Sequence, residues 1–235
     1  MRWRSLRTLA MTVGLGSALA GTLGAQDSRP GVAVLPFVNG GSYGQDPENY
    51  QALEVGIQQM LTTELAQNPA LRVVDRSNIK SLMTEQDLGA SGRVDAATAA
   101  RLGKLVGARY MIMGGFTDLY GNMRLDISVV STETSEIVRA EKVTFKRDEL
   151  FSGVVNAATV ITTGLKLPDL PKETQAKRDE RAREINKTQA VSYYTRGLLY
   201  ADRGDKERAK ELFAKALQEF PDYTEAQQAL SQLGT

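Results

Sequence analysis

Hydrophobic positions along the chain alternate between a strand-like and a helix-like spacing, and the switches mark the elements. Gly31-Val32-Ala33-Val34-Leu35-Pro36-Phe37-Val38 is a continuous apolar run, the signature of a short strand buried on both faces. Pro36 has no N–H to give to a neighbour, so this strand ends irregularly or at an edge. From Asp46-Pro47, a good N-cap and first-turn pair, the period becomes helical. Leu53, Ile57, Met60, Leu61 and Leu65 fall on one face until about Gln67, and Asn68-Pro69 closes the helix. Leu71 to Val74 reads as a second short strand. Val73 to Phe116 then reads as strand end, helix, polar turn, helix, strand. Asp75 or Ser77 caps the first of these helices, with Ile79, Leu82 and Met83 facing inward. Gly89-Ala90-Ser91-Gly92 breaks it, and Asp95 caps the next. Ala99, Leu102, Gly103 and Val106 form a narrow face of small residues, and Gly107 is placed to end the helix. A strand from Arg109 to Thr117 follows, its Gly114-Gly115 pair indicating a bulge or a close backbone approach.

Beyond Phe116 the period is two. Met123, Leu125, Ile127 and Val129 alternate with Arg124, Asp126 and Ser128, which is a half-buried strand. It is joined to its neighbours by Tyr120-Gly121-Asn122 and Thr132-Glu133-Thr134-Ser135, and Glu136 to Phe145 is the third antiparallel strand. A last helix, Asp148 to Leu165, carries Phe151, Val154, Val155, Ala158, Ile161 and Leu165 on one side. Residues 26–167 are therefore expected to form one layered α/β domain. It has a strand-helix-strand-helix-helix start, a three-strand antiparallel meander, and helices packed on the sheet.

After Leu167, residues 168–187 open on Pro168-Asp169-Leu170-Pro171 and continue as KETQAKRDERAREINK, a charged linker or a solvated helix. In residues 188–235, Tyr193, Gly197, Tyr200, Ala209, Phe213, Ala216 and Pro221 stand at the offsets of one 34-residue tetratricopeptide repeat. Gly197 and Ala209 let two helices approach, the aromatic residues fill their interface, and Pro221 closes the second helix. Arg196 departs from the repeat's usual Leu. Gly204-Asp205 makes the inter-helix turn. Tyr223 to Leu233 is a further helix that covers the open face with Ala226, Ala229, Leu230 and Leu233. One repeat cannot bury its own core, so this small all-α hairpin is expected to lean on the charged helix, on the main domain, or on another molecule.

Residues 1–25 read as a secretory signal peptide. Arg2, Arg4 and Arg7 precede a short apolar run, Leu9 to Leu19, and cleavage fits after Ala20 or after Ala25. No Cys follows that run, so no lipid anchor is expected there, and any membrane contact is peripheral. Past residue 25 the chain has 26 basic and 28 acidic residues, which gives nucleic acid no electrostatic footing. There is no Cys and no His in the chain, so disulfides, Cys nucleophiles, His general bases and the usual zinc ligands are absent. No phosphate-cradling GxxxxGK[ST] loop occurs, and Gly40 and Gly41 read as turn residues. An enzyme is not expected, nor is a cofactor or a metal.

The ordered set Val-Ala-Val-Leu-Pro-Phe, Val-Val-Asp-Arg-Ser, Asp95-Ala-Ala-Thr-Ala-Ala, Leu102-Gly-Lys-Leu-Val-Gly-Ala108, Met111-Ile-Met-Gly-Gly-Phe116 and the Thr-Glu-Thr-Ser turn resembles the curli-secretion channel (CsgG-like) family over about residues 31–165. The resemblance implies a periplasmic, non-enzymatic α/β domain serving export or assembly at the outer membrane of a Gram-negative-type envelope. Pore-forming members are lipoproteins with long membrane-crossing hairpins. This chain lacks the lipid-bearing Cys, and its hairpin strands are only as long as the domain sheet needs. Those members also narrow their channel with aromatic and Asn side chains after the first strand. Tyr43, Asn49 and Tyr50 are the similar residue types here, at a different spacing. The competing reading makes Tyr43 a surface loop residue and the other two part of a helix start. The expectation is an exported accessory or scaffold protein that binds envelope proteins, itself included as an oligomer. A ring-forming channel subunit and a nucleotide- or sugar-binding protein are the alternatives.

Overall fold

The computed structural model describes residues 27–86 and 94–234. The signal segment and the Gly89–Gly92 break lie outside the described residues. The elements are β1 (Gly31–Val34), β2 (Val38–Asn39), α1 (Pro47–Ala66), β3 (Arg72–Val73), α2 (Arg76–Glu85), α3 (Ala96–Leu105), β4 (Tyr110–Leu119), β5 (Asn122–Ser131), β6 (Ile137–Lys146), a 3-10 turn (Arg147–Glu149), α4 (Leu150–Gly164), α5 (Lys172–Asn186), α6 (Ala190–Asp202), α7 (Lys206–Glu219) and α8 (Thr224–Leu233). The fold is α/β as expected. One sheet of order β3-β1-β4-β5-β6 has β2 added beside β4. β1 pairs in parallel with β3 and β4, and β4, β5 and β6 form the antiparallel meander.

The apolar run at the start is one strand in sequence and two in space. Pro36 cannot donate a ladder hydrogen bond, so pairing stops after the Leu35 N–H reaches the Ile112 carbonyl at 2.8 Å and resumes at Val38 opposite Gly115. Along β1 the side chains alternate between two cores. Val32 and Val34 enter the larger one, under α1 and α4, and Ala33 and Leu35 enter the smaller one, under α2 and α3. A strand covered on both faces must be apolar throughout, which is the pattern it has.

The caps follow the sequence with one exception. Asp75 accepts from the Ser77 N–H and Asp95 from the Thr98 N–H, each at 2.7 Å. Past α3, the Gly107 N–H reaches Lys104 and the Ala108 N–H reaches Gly103, with Gly107 at φ +65°. That is the Schellman arrangement, which needs a left-handed residue at this point. Asp46 holds the N-cap position of α1 but makes no side-chain cap bond. Gly114 and Gly115 keep regular register with Ile127 and Asp126, so the alternative of a close approach holds and the bulge does not. A Cβ at Gly114 would lie 2.2 Å from the Asp126 carbonyl oxygen.

The segment expected as a charged linker or a solvated helix is the helix α5, and it is not wholly solvated. Arg178, Ala182 and Ile185 form a buried stripe. The Arg178 Nε donates to Glu64 of α1 at 2.5 Å and another guanidinium nitrogen to the Val155 carbonyl of α4 at 3.2 Å. Glu64 is 1 % exposed, and burial pushes its carboxyl above the ordinary range against the pull of Arg178. In a buried pair of this kind the desolvation cost offsets much of the attraction, so its net stabilisation is small.

Candidate functional site

The β4–β5 hairpin turns on two residues, Tyr120 and Gly121, at φ +52° and +90°. Two-residue hairpins demand such backbone, which Asn and Gly adopt readily and Tyr does not. The Gly-rich loop before α1 folds back over this tip. The Asn39 side-chain oxygen accepts from the N–H groups of Gly41 and Ser42 and from the Ser42 hydroxyl. The Tyr43 N–H donates to the Asp118 carbonyl at 2.8 Å, and the Tyr120 N–H donates to the Tyr43 carbonyl at 3.3 Å. The outcome is an apolar patch on an ordered support, with Tyr43 62 %, Leu119 51 % and Tyr120 80 % exposed.

Beneath the patch, Asp118 is fully buried. Its carboxylate accepts from the Gly121 N–H at 2.8 Å, from Arg147 Nε at 2.5 Å and from Gln45 Nε2 at 3.3 Å. Three segments far apart in sequence are thus fixed to one carboxylate. The hydrogen bond from Arg147 to Asp118 in turn raises the guanidinium pKa above its ordinary value. A carboxyl group taken out of water needs hydrogen-bond partners to offset its desolvation.

The three residues singled out from the sequence do not form one surface. Tyr43 belongs to the patch. Asn49 lies in the first turn of α1 beside a cavity shared with α6. Tyr50 is buried, its hydroxyl meets no hydrogen-bond partner, and burial pushes its pKa up. Leu119 and Tyr120 complete the patch and were not anticipated. The available signal was a bulky aromatic at a turn position that normally takes Asn or Gly.

The repeat lies against its own domain. The residues that define it pack as a helical hairpin. A Cβ at Gly197 would lie 2.5 Å from the Phe213 ring, Ala209, Phe213 and Ala216 are fully buried, Tyr200 is buried, Tyr193 is half-buried, and Pro221 follows α7. α6 is pressed onto α1, where a Cβ at Gly56 would lie 2.3 Å from the Thr195 methyl carbon. Around that contact Tyr200 donates to Glu48 at 2.7 Å, Arg203 to Gln51 at 2.6 Å, and Arg76 and Lys80 to Asp202 at 2.7 and 2.9 Å. Phe151 of α4 meets Tyr223 edge-on at 6.2 Å, and Arg181 lies over both rings. Of the three supports expected for a single repeat, the main domain and α5 supply two. The outer face of α7 is left charged, with Lys206, Glu207 and Glu211 exposed.

Among the described residues no helix is long and apolar enough to cross a membrane, and no group of three acidic residues is placed to hold a metal ion.

Residues 20–125 match the family model described as curli production assembly/transport component CsgG, and residues 190–223 match that of a tetratricopeptide repeat. The resemblance read from the residues extends to about 165, so its last part lies beyond the matched span. No curated protein matches the chain. Similar solved structures include the LpoB C-terminal domain from Escherichia coli, at 17 % identity and TM-score 0.41, covering 53 % of this chain and 89 % of that one. Lipoprotein GNA1162 from Neisseria meningitidis is similar at 13 % identity and TM-score 0.41, over 55 % of this chain and 96 % of that one. A PelC dodecamer from Paraburkholderia phytofirmans is similar at 11 % identity and TM-score 0.34, over 60 % of this chain and 89 % of that one. The chain carries a CsgG-like domain followed by a single tetratricopeptide repeat.

Proposed function

We propose that this protein is an exported, periplasmic accessory or scaffold for outer-membrane secretion or surface-structure assembly, acting by binding another envelope protein and not by catalysis. The observation that carries the reading is the Tyr43–Leu119–Tyr120 patch, raised on a hydrogen-bonded tip of the CsgG-like domain. Exposed aromatic and aliphatic side chains on a rigid support are what interface anchors require. A turn tyrosine in the left-handed region costs backbone energy, a kind of strain that clusters at binding and switch sites.

The docked repeat supports the same reading. It turns the α6 face into its own domain, so it acts as a buttress that fixes α1, and the tip remains an exposed apolar surface for a partner, as do Leu105 of α3 and Ile137 and Val138 of β6 elsewhere. β4, β5 and β6, ten residues each, take their places in the domain sheet, which favours an accessory over a channel subunit. Affinity capture from an envelope fraction tests the reading. The wild-type chain is expected to recover an envelope protein that a Tyr43→Ser/Tyr120→Ser variant loses. Equal recovery by both chains removes the patch as the binding surface.

A further inference from the structure

A second site lies where the CsgG-like domain meets the repeat. The first turns of α1, α4 and α6 and the end of α5 enclose a cavity of about 340 Å³. Two arginines line it from opposite elements, Arg147 from the 3-10 turn and Arg196 from α6. Each has a buried nitrogen with no hydrogen-bond partner, a terminal nitrogen (Nη2) on Arg147 and Nε on Arg196. Both side chains are only partly used by the protein. Arg147 gives its Nε to Asp118, and Arg196 stands 3.8 Å from Glu48. Buried N–H groups are nearly always paired, and each of these guanidinium groups, both lining the cavity, keeps one buried nitrogen for which the chain supplies no acceptor.

The rest of the lining is consistent with a small polar guest. Asn49 and Ser192 contribute neutral polar groups, and Asp148 is the one carboxylate of the lining, on an exposed turn. The first turn of α6 borders the cavity, but the Thr188 hydroxyl already accepts from the Ala190 N–H and Glu219 from the Gln189 N–H, so the positive charge of the site is that of the two guanidinium groups. Arg196 is the position at which the repeat departs from its usual Leu. In the structure that departure places a guanidinium in the cavity where an ordinary repeat would bury a methyl group.

We propose that this cavity binds an oxyanion, the carboxylate or phosphate group of a small ligand or of an exposed chain end, between Arg147 and Arg196. Guanidinium groups recognise both kinds of oxyanion through charge-assisted hydrogen bonds. The site shares Arg147 with the Asp118 support of the apolar patch, and its occupant would bridge the repeat to the domain it rests on.

Thermal melting and titration calorimetry on the full chain test this with inorganic phosphate, an acetylated dipeptide acid, and the same dipeptide amidated. Sodium chloride at matched ionic strength is the reference. At least one oxyanion is expected to raise the melting temperature above chloride, and the amide is not. Phosphate alone identifies a phosphate-bearing ligand, and the acid alone a carboxylate. Arg196→Gln is expected to weaken binding at least about tenfold, the loss of a charge-assisted contact. Ser192→Phe, which fills the mouth of the cavity and keeps both arginines, is expected to do the same. If one variant fails to fold by circular dichroism, the other decides. No stabilisation above chloride by either oxyanion overturns the proposal, as does binding that survives unchanged in a folded variant.

Discussion

Gly56 of α1 and Thr195 of α6 meet so closely that a Cβ on the glycine would lie 2.3 Å from the threonine methyl carbon. This contact fixes how near the repeat comes to the domain, and it sets up the first test. Gly56→Ala gains up to ~1 kcal/mol of helix propensity but overpacks the interface, which costs about 1–3 kcal/mol. The expected result is net destabilisation in urea. A Thr195→Ala change in the same chain restores part of the loss. An isolated Gly56→Ala that stabilises the chain contradicts the docked arrangement.

Asp118 is the anchor of the tip. Asp118→Ala leaves Arg147 and the Gly121 N–H without their acceptor, and removing one partner of a buried, hydrogen-bonded charge pair costs about 3–5 kcal/mol. Arg147 is about a third exposed in this pair, so the lower part of that range is expected in chemical denaturation. Faster amide exchange is expected at Tyr43 and Tyr120, whose N–H groups depend on the same tip.

Tyr120 separates stability from binding. Its left-handed backbone is costly for a bulky residue, and Asn suits a turn of this kind. Tyr120→Asn is expected to raise stability by up to about 1 kcal/mol, part of the left-handed backbone cost, while reducing capture of the envelope partner. A variant that loses stability and keeps its partner contradicts both halves of the account.

Asp202 gives the interface an acid sensitivity. Burial opposes its ionisation, but hydrogen bonds and charge from Arg76 and Lys80 outweigh burial and hold its pKa below the ordinary 3.8. The unfolded chain therefore takes up this proton first as pH falls. The stabilisation is complete above the ordinary carboxylate value and is lost as pH falls through the lower, folded value. Glu64 acts in the opposite sense. Its raised pKa makes its contribution fall as pH rises from 4.5 towards the folded value. Comparing wild type with Asp202→Asn isolates the first effect, and the variant is expected to show a flatter acid limb. At neutral pH it is expected to lose about 1 kcal/mol, because Arg76 is only partly buried and Lys80 is exposed.

Much of the fold was legible because the signals are local. The Asp75 and Asp95 caps, the Gly107 stop, the Met123–Val129 alternation and the Gly197–Phe213 packing each depend on residues within a turn or one repeat period. What was hidden depends on long-range pairing. Nothing near Arg178 shows that it will meet Glu64, 114 positions earlier, so α5 read as a linker or a solvated helix. Asp118 looked like an ordinary polar strand residue until Arg147 and Gln45 came to it. At the candidate site only Tyr43 was visible in advance, because Leu119 and Tyr120 join it only through the long-range pairing of the Gly-rich loop with the hairpin.

Photocrosslinking in living cells tests the central claim most directly. A photoreactive amino acid replaces Tyr120 in one strain and the exposed Lys177 of α5 in another. The account predicts a covalent adduct with a specific envelope protein from position 120 and none from position 177. Identical adducts from both positions, or no adduct from position 120 in a chain that is exported and folded, would contradict it.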